Sequence, residues 1–171
     1  MKTEYLLQQQ VAFVLAALTP SNRLVITVCL RTGLRVGDVL ALKKDELKHQ
    51  FWVKEAKTGK RRRVGLSDNL IAQIKEQAGG SEWAFPGRNP AMHRSRQAVW
   101  ADVKRAARAF RLPQNVAPHS FRKVYAVELF EKYQDIDRVR RALNHSSVDV
   151  TLIYAMADQM LEKKMKRRRK K

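Results

Sequence analysis

Apolar residues recur at helical spacing along most of this chain, and the stretch 50–66 breaks that rhythm. From residue 95 to 110, Val99, Trp100, Val103, Ala106, Ala107 and Phe110 follow a helical period. Residues 3–18 do the same through Leu7, Val11, Val14, Leu15 and Leu18. A second, mostly apolar helix reaches Leu30 from a cap at Ser21 or Asn22, and Gly33 marks a break. Val36, Val39 and Leu40 place another helix over 36–42. Asp68 caps a helix that runs to about Gln77 and ends at Gly79-Gly80. Residues 83–90 read as loop and 112–118 as a connector. Helices are expected over 119–133 and 136–143, with further starts at Ser147 and Asp158. Within 50–66 the segments 50–56 and 61–66 read as strands. The turn Lys57-Thr58-Gly59-Lys60 joins them, since Gly59 tolerates positive φ. The expected fold is α+β, mostly α-helical with a small antiparallel β-sheet, and 171 residues suit one domain with a sizeable core.

Charge narrows the partner. The chain carries 35 Lys and Arg against 16 Asp and Glu, a balance of +19. Eight basic residues sit in the last nine, 163–171, yet removing residues 162–171 still leaves +12. The body is therefore basic in its own right, which points to a polyanion, and double-stranded DNA is the expected partner. No apolar run has the length of a bilayer span, so a membrane role is not expected. Cys29 is the single cysteine, which rules out an internal disulfide and fits a reducing compartment. Its apolar neighbours make it a buried thiol.

A few residues have the makings of phosphodiester chemistry. Such chemistry needs a nucleophile, cations for the non-bridging oxygens and a proton for the leaving oxygen. A guanidinium grips phosphate with two parallel N–H donors, which an ammonium cannot copy. Arg35 follows Thr32-Gly33-Leu34 at a helix start, where backbone N–H groups also favour an anion. His119 and Arg122 stand three apart, on one helix face. Tyr154 lies nine residues after His145. A tyrosine can be a covalent nucleophile where neighbours help remove its proton. Tyr125 and Tyr133, each on an amphipathic helix, are expected to be packing residues.

In this order the motifs resemble those of the tyrosine recombinases, or phage integrases, from about residue 20 to 158. Thr32-Gly33-Leu34-Arg35-Val36-Gly37-Asp38 looks like the first arginine motif, Lys57 like the β-hairpin lysine, and His119-Ser120-Phe121-Arg122 like the His-x-x-Arg motif. Leu143-Asn144-His145 is similar to the last histidine motif, with Tyr154 at the family spacing. Asp38 stands where Glu is more usual, Asn144 where Gly is, and Phe121 where Leu is; no reacting group is lost.

The resemblance implies a recombinase catalytic-domain fold over 1–158 and cleavage of DNA through a 3′-phosphotyrosyl link. Tyr154 would attack, Arg35 and Arg122 would hold the phosphate, and His119 would act as acid/base. His145 would hydrogen-bond the phosphate, Lys57 would protonate the leaving 5′-oxygen, and Asp38 would support the arginine. Lys60, Arg61, Arg62, Arg96 and Arg105 are expected DNA contacts. No cofactor is expected: neither ATP nor a metal is implied, and the sequence has no phosphate-binding Gly-Lys-Ser/Thr loop or zinc-spaced Cys/His cluster. Residues 159–171, a helix end and basic tail, are expected to pass to a neighbouring protomer on DNA or to be disordered. Family members carry further DNA-binding domains ahead of this one, so contacts from elsewhere are expected unless the protein is naturally minimal. The expected setting is the cytoplasm, at the nucleoid, for a bacterial or phage-encoded protein. Two other readings use the same residues or the same charge: a type IB topoisomerase-like relaxing enzyme, and a non-catalytic regulatory or architectural DNA-binding protein.

Overall fold

The computed structural model describes residues 4–143. They form seven α-helices: α1 (Gln8–Ala17), α2 (Pro20–Thr32), α3 (Val36–Leu40), α4 (Asp68–Ala78), α5 (Arg96–Ala109), α6 (Pro118–Tyr133) and α7 (Ile136–Ala142). Strands β1 (Gln50–Lys54) and β2 (Arg61–Gly65) pair antiparallel, with Gln50 opposite Gly65 and Lys54 opposite Arg61. The expected mixture of helices with one small sheet is what the described residues form. The starts expected at Ser147 and Asp158 lie outside the described residues.

The core is a helical layer around α2, which packs along α6 while α1 packs along α5. Val25, Ile26, Val28 and Cys29 of α2 meet Phe121 and Val124 of α6 and Val99 and Val103 of α5. Burying an aliphatic or aromatic side chain of this size contributes about 1.5–3 kcal/mol. Phe121, in the motif position where leucine is usual, is fully buried here. Cys29 is also buried, and loss of solvent pushes its thiol up to about 12. The hairpin leans on this layer through Phe51, Val53 and Val64, while Trp52 faces outward, 60% exposed. Gly59, at φ 67°, closes the turn.

Several boundaries differ from the sequence expectation, each for a local reason. α1 begins at Gln8 because Leu7 is extended and gives its N–H to the Gln10 side chain. α2 is capped by Thr19 with Pro20 in its first turn. Ser21 and Asn22 are drawn elsewhere: Ser21 to the Gln77 amide, and Asn22 to Asp102, 2.8 Å away. α3 stops at Leu40, and Leu42 beyond it turns its carbonyl to the Ala84 N–H. Ser67, and not Asp68, caps α4, since its hydroxyl accepts from Leu70 N–H.

Asp102 of α5 ties the α1–α2 junction to the bundle. Its Oδ2 accepts from Thr19 N–H at 3.0 Å, Thr19 Oγ1 at 2.9 Å and Asn22 Nδ2 at 2.8 Å. Its Oδ1 accepts from Arg105 Nε and NH2, and that NH2 also reaches Ala17 O, the end of α1. Burial works against the Asp102 charge, but the donors from Asn22, Thr19 and Arg105 outweigh it and hold the carboxyl below its ordinary range.

Asp102→Ala leaves these donors unpaired and is expected to destabilise the fold by about 3 kcal/mol. At about 2–4 °C per kcal/mol for a chain of this size, the melting midpoint should fall by about 6–12 °C, read by thermal denaturation. Because the folded-state pKa is depressed, this contribution is present above the unfolded value of about 4 and is lost as pH falls through the folded one. The gap between parent and variant should therefore narrow in acid.

Candidate active site

α2 ends at Gly33, whose φ of 64° is left-handed and whose N–H reaches Cys29 O. A side chain here would also collide with Tyr125, as a Cβ would lie 2.3 Å from its ring. The reversal buries Leu34 and delivers Arg35 to the N-cap of α3. Tyr125, expected to be a packing residue, is the lid over this glycine.

Arg35 opens onto a cleft of about 760 Å³ formed by the start of α3, the hairpin turn, the approach to α5 and the first turn of α6. The same cleft is lined by Asp38, Lys57, Arg96, His119 and Arg122. Sequence segments nearly ninety residues apart thus converge on one concave surface. Lys57 reaches it from the hairpin turn and Arg96 from the first residue of α5. His119 is in the first turn of α6, after Pro118.

Arg122, one turn further in, is only 3% exposed. Its NH1 donates to Gly33 O at 2.5 Å and its NH2 to Leu143 O at 2.7 Å. It therefore fixes the α2–α3 reversal to the end of α7 while showing a face to the cleft. Burial, then the like charge of Arg35, lowers its pKa to about 10, so it remains a cation at neutral pH.

The sequence reading missed two residues here. Glu55, with no exposed surface, takes Arg35 NH1 at 2.5 Å on Oε2, and its Oε1 lies 3.3 Å from Arg62 Nε. Strand alternation carries a signal for it: Phe51, Val53 and Glu55 are two apart and all buried. His93 also lines the cleft, with Nδ1 2.8 Å from Arg94 O and its ring edge-on to Trp83. No sequence pattern around it distinguishes it from a loop histidine.

One expected DNA contact needs correction. Arg62 was expected to contact DNA, but its side chain is only 10% exposed. It points inward to Glu55 and donates to Thr32 O at 2.5 Å. Arg105 holds Asp102 and the end of α1 while its side chain stays exposed. Asp38 was expected to support the arginine. Its Oδ1 accepts the Ala56 N–H at 2.9 Å, supporting the hairpin, and its charge favours the Arg122 cation, while the ionic partner of Arg35 is Glu55. Lys60 and Arg61 are exposed at the hairpin. His145 and Tyr154 lie outside the described residues. Among the described residues no cluster of His, Cys, Asp and Glu could hold a metal ion, and no helix is long and apolar enough to cross a membrane.

Comparison with known proteins places this geometry in a class. The model of the phage integrase family matches residues 4–160. The chain belongs to the phage integrase family. It is 30% identical over 156 residues to the integrase of Escherichia phage P2, covering 90% of this chain and 43% of that protein. It is 28% identical over 151 residues to the tyrosine recombinase XerD of Mycobacterium tuberculosis, covering 81% and 49%. The chain thus spans about half the length of these curated relatives. Among solved structures it is similar to XerH site-specific recombinase bound to a palindromic difH substrate, with a TM-score of 0.74 and 23% identity over 95% of this chain and 52% of that one. It is also similar to the lambda integrase catalytic core, at 0.71 and 21%, covering 86% and 94%. The fold is that of a tyrosine recombinase catalytic domain.

Arg62→Ala uncovers the Glu55 charge inside the fold and is expected to cost about 3 kcal/mol. Arg63→Ala, exposed one residue away, should stay within about 0.5 kcal/mol of the parent. Urea denaturation of the two variants side by side checks the difference.

Proposed function

We propose that this chain is the catalytic domain of a tyrosine-type site-specific DNA recombinase, spanning residues 1–158. The observation that carries the reading is the convergence of Arg35, Lys57, His119 and Arg122 on one cleft. Family membership supports it further.

In the proposed reaction the Tyr154 oxygen attacks the scissile phosphorus as its proton passes to His119. The bond to the 5′-oxygen breaks, and Lys57 gives that oxygen a proton. The products are a 3′-phosphotyrosyl link and a free 5′-hydroxyl. Arg35 and Arg122 take the non-bridging oxygens, where negative charge grows in the transition state, and His145 adds a hydrogen bond. A 5′-hydroxyl from a partner strand reverses the attack. One phosphoester bond forms for each that breaks, so no ATP is consumed, and the donor set supplies the proton transfers and charge neutralisation without a metal.

Double-stranded DNA is the proposed partner, met by Lys60, Arg61 and Arg96 around the cleft. Solved relatives include XerH bound to difH and a lambda integrase dimer bound to a core site, which supports binding DNA as a self-associated assembly. Residues 159–171 are proposed to dock on a neighbouring protomer, with the protein acting in the cytoplasm at the nucleoid.

A nicked duplex carrying the cognate site, from which the cleaved end diffuses away, should trap a covalent protein–DNA adduct. Tyr154→Phe should abolish it, and equal yield in that variant would remove the assignment. Arg35→Ala should slow adduct formation by about 10²–10³-fold, the usual cost of one charge-stabilising donor. In a salt titration of duplex affinity, Arg96→Ala should weaken binding and reduce the slope of log K against log salt by about 0.9, one phosphate contact. An unchanged slope removes Arg96 from the DNA contacts.

A further inference from the structure

We propose that Glu55 is the positioning residue that sets the orientation of Arg35 and couples it to the turn bearing Lys57, a role that rests on the proposed recombinase reading. Glu55 is fully buried, which is unusual for a carboxylate unless it is paired. It is paired on two sides. Oε2 meets Arg35 NH1 at 2.5 Å, a charge-assisted contact, and Oε1 faces Arg62 Nε. Arg62 in turn donates to Thr32 O, at the end of α2, one residue before the glycine reversal that delivers Arg35. The carboxylate is therefore anchored to the segment whose arginine it orients.

The backbone of Glu55 builds the hairpin turn. Its N–H donates to Lys60 O at 3.0 Å, its carbonyl accepts Gly59 N–H at 2.8 Å, and Thr58 Oγ1 lies 3.4 Å from Oε2. Lys57 sits inside that loop, and the residue before it, Ala56, gives its N–H to Asp38 of α3. One residue thus holds the Arg35 guanidinium and closes the turn that presents Lys57. A carboxylate beside a phosphate site weakens anion binding by simple electrostatics, so its value lies in geometry. It fixes the plane of a flexible side chain, whose misplacement by about 1 Å is enough to cost about 10²-fold in rate.

The test uses Glu55→Gln, which keeps the shape and removes the charge, and Glu55→Asp, which keeps the charge but draws it back from both arginines. Adduct formation with the nicked duplex at saturating DNA is expected to fall by about tenfold to a hundredfold in each variant, with duplex affinity unchanged or tighter. A rate equal to the parent overturns the proposal. So does a fall in rate matched by an equal fall in duplex affinity, the mark of a merely structural role.

A second arm does not depend on activity. Without DNA, phenylglyoxal labelling of Arg35, read by peptide mass spectrometry, is expected to be faster in both variants because the guanidinium is released. Unchanged labelling overturns the proposal whether or not the parent cleaves DNA. Absence of adduct from the parent with accelerated labelling in the variants would instead remove the recombinase reading and leave the Arg35–Glu55 coupling standing.

Discussion

The site depends on one buried ionic knot, the Glu55 carboxylate between Arg35 and Arg62. Arg35, Arg62 and Arg122 crowd a small volume under the hairpin, and their mutual repulsion is what lowers the Arg122 pKa after burial itself. Two unit charges about 4 Å apart interact by about 4 kcal/mol at an effective dielectric near 20. A cluster of guanidiniums in such a wall would push the hairpin away from α2 and α3 without a carboxylate among them. With Glu55 in place, Arg35 and Arg122 face the cleft, Arg62 turns inward, and the hairpin stays seated.

A second polar tie does a different job at a distance. Asp102 gathers Thr19, Asn22 and Arg105 and fixes α1 and α2 against α5. α2 is then a rigid rod whose far end is the Gly33 reversal, closed by the Tyr125 ring and held by Arg122 through Gly33 O. The position of Arg35 is thus set by packing and hydrogen bonds from α2, α6 and the hairpin together. This explains why residues from α3, the hairpin, α5 and α6 share a cleft: each enters near the end of an element that the core already orients.

Much of this was legible in the sequence because it follows from periodicity. Helical spacing along 95–110 marked α5, and Gly59 with its flanking strands marked the hairpin. The motif residues Arg35, Lys57, His119 and Arg122 stand where those elements meet. What was not legible depends on long-range partners. The start of α2 shifts to Thr19 and Pro20, while Ser21 and Asn22 are taken by Gln77 and Asp102, more than fifty residues away. Arg62 looks like its neighbours Arg61 and Arg63 in composition. Strand alternation puts it on the side of Val64, and a buried glutamate waits there. Period two carried that information, but a run of arginines reads as a solvated surface until its inward partner is known.

The central claim is that this cleft serves a tyrosine nucleophile acting on a phosphodiester. The most direct measurement is mass spectrometry of the protein after reaction with site-bearing DNA and exhaustive nuclease digestion. The account predicts a residual nucleotide joined through its 3′-phosphate to Tyr154 and to no other side chain. A nucleotide on a different residue, or one joined through a 5′-phosphate, would contradict it.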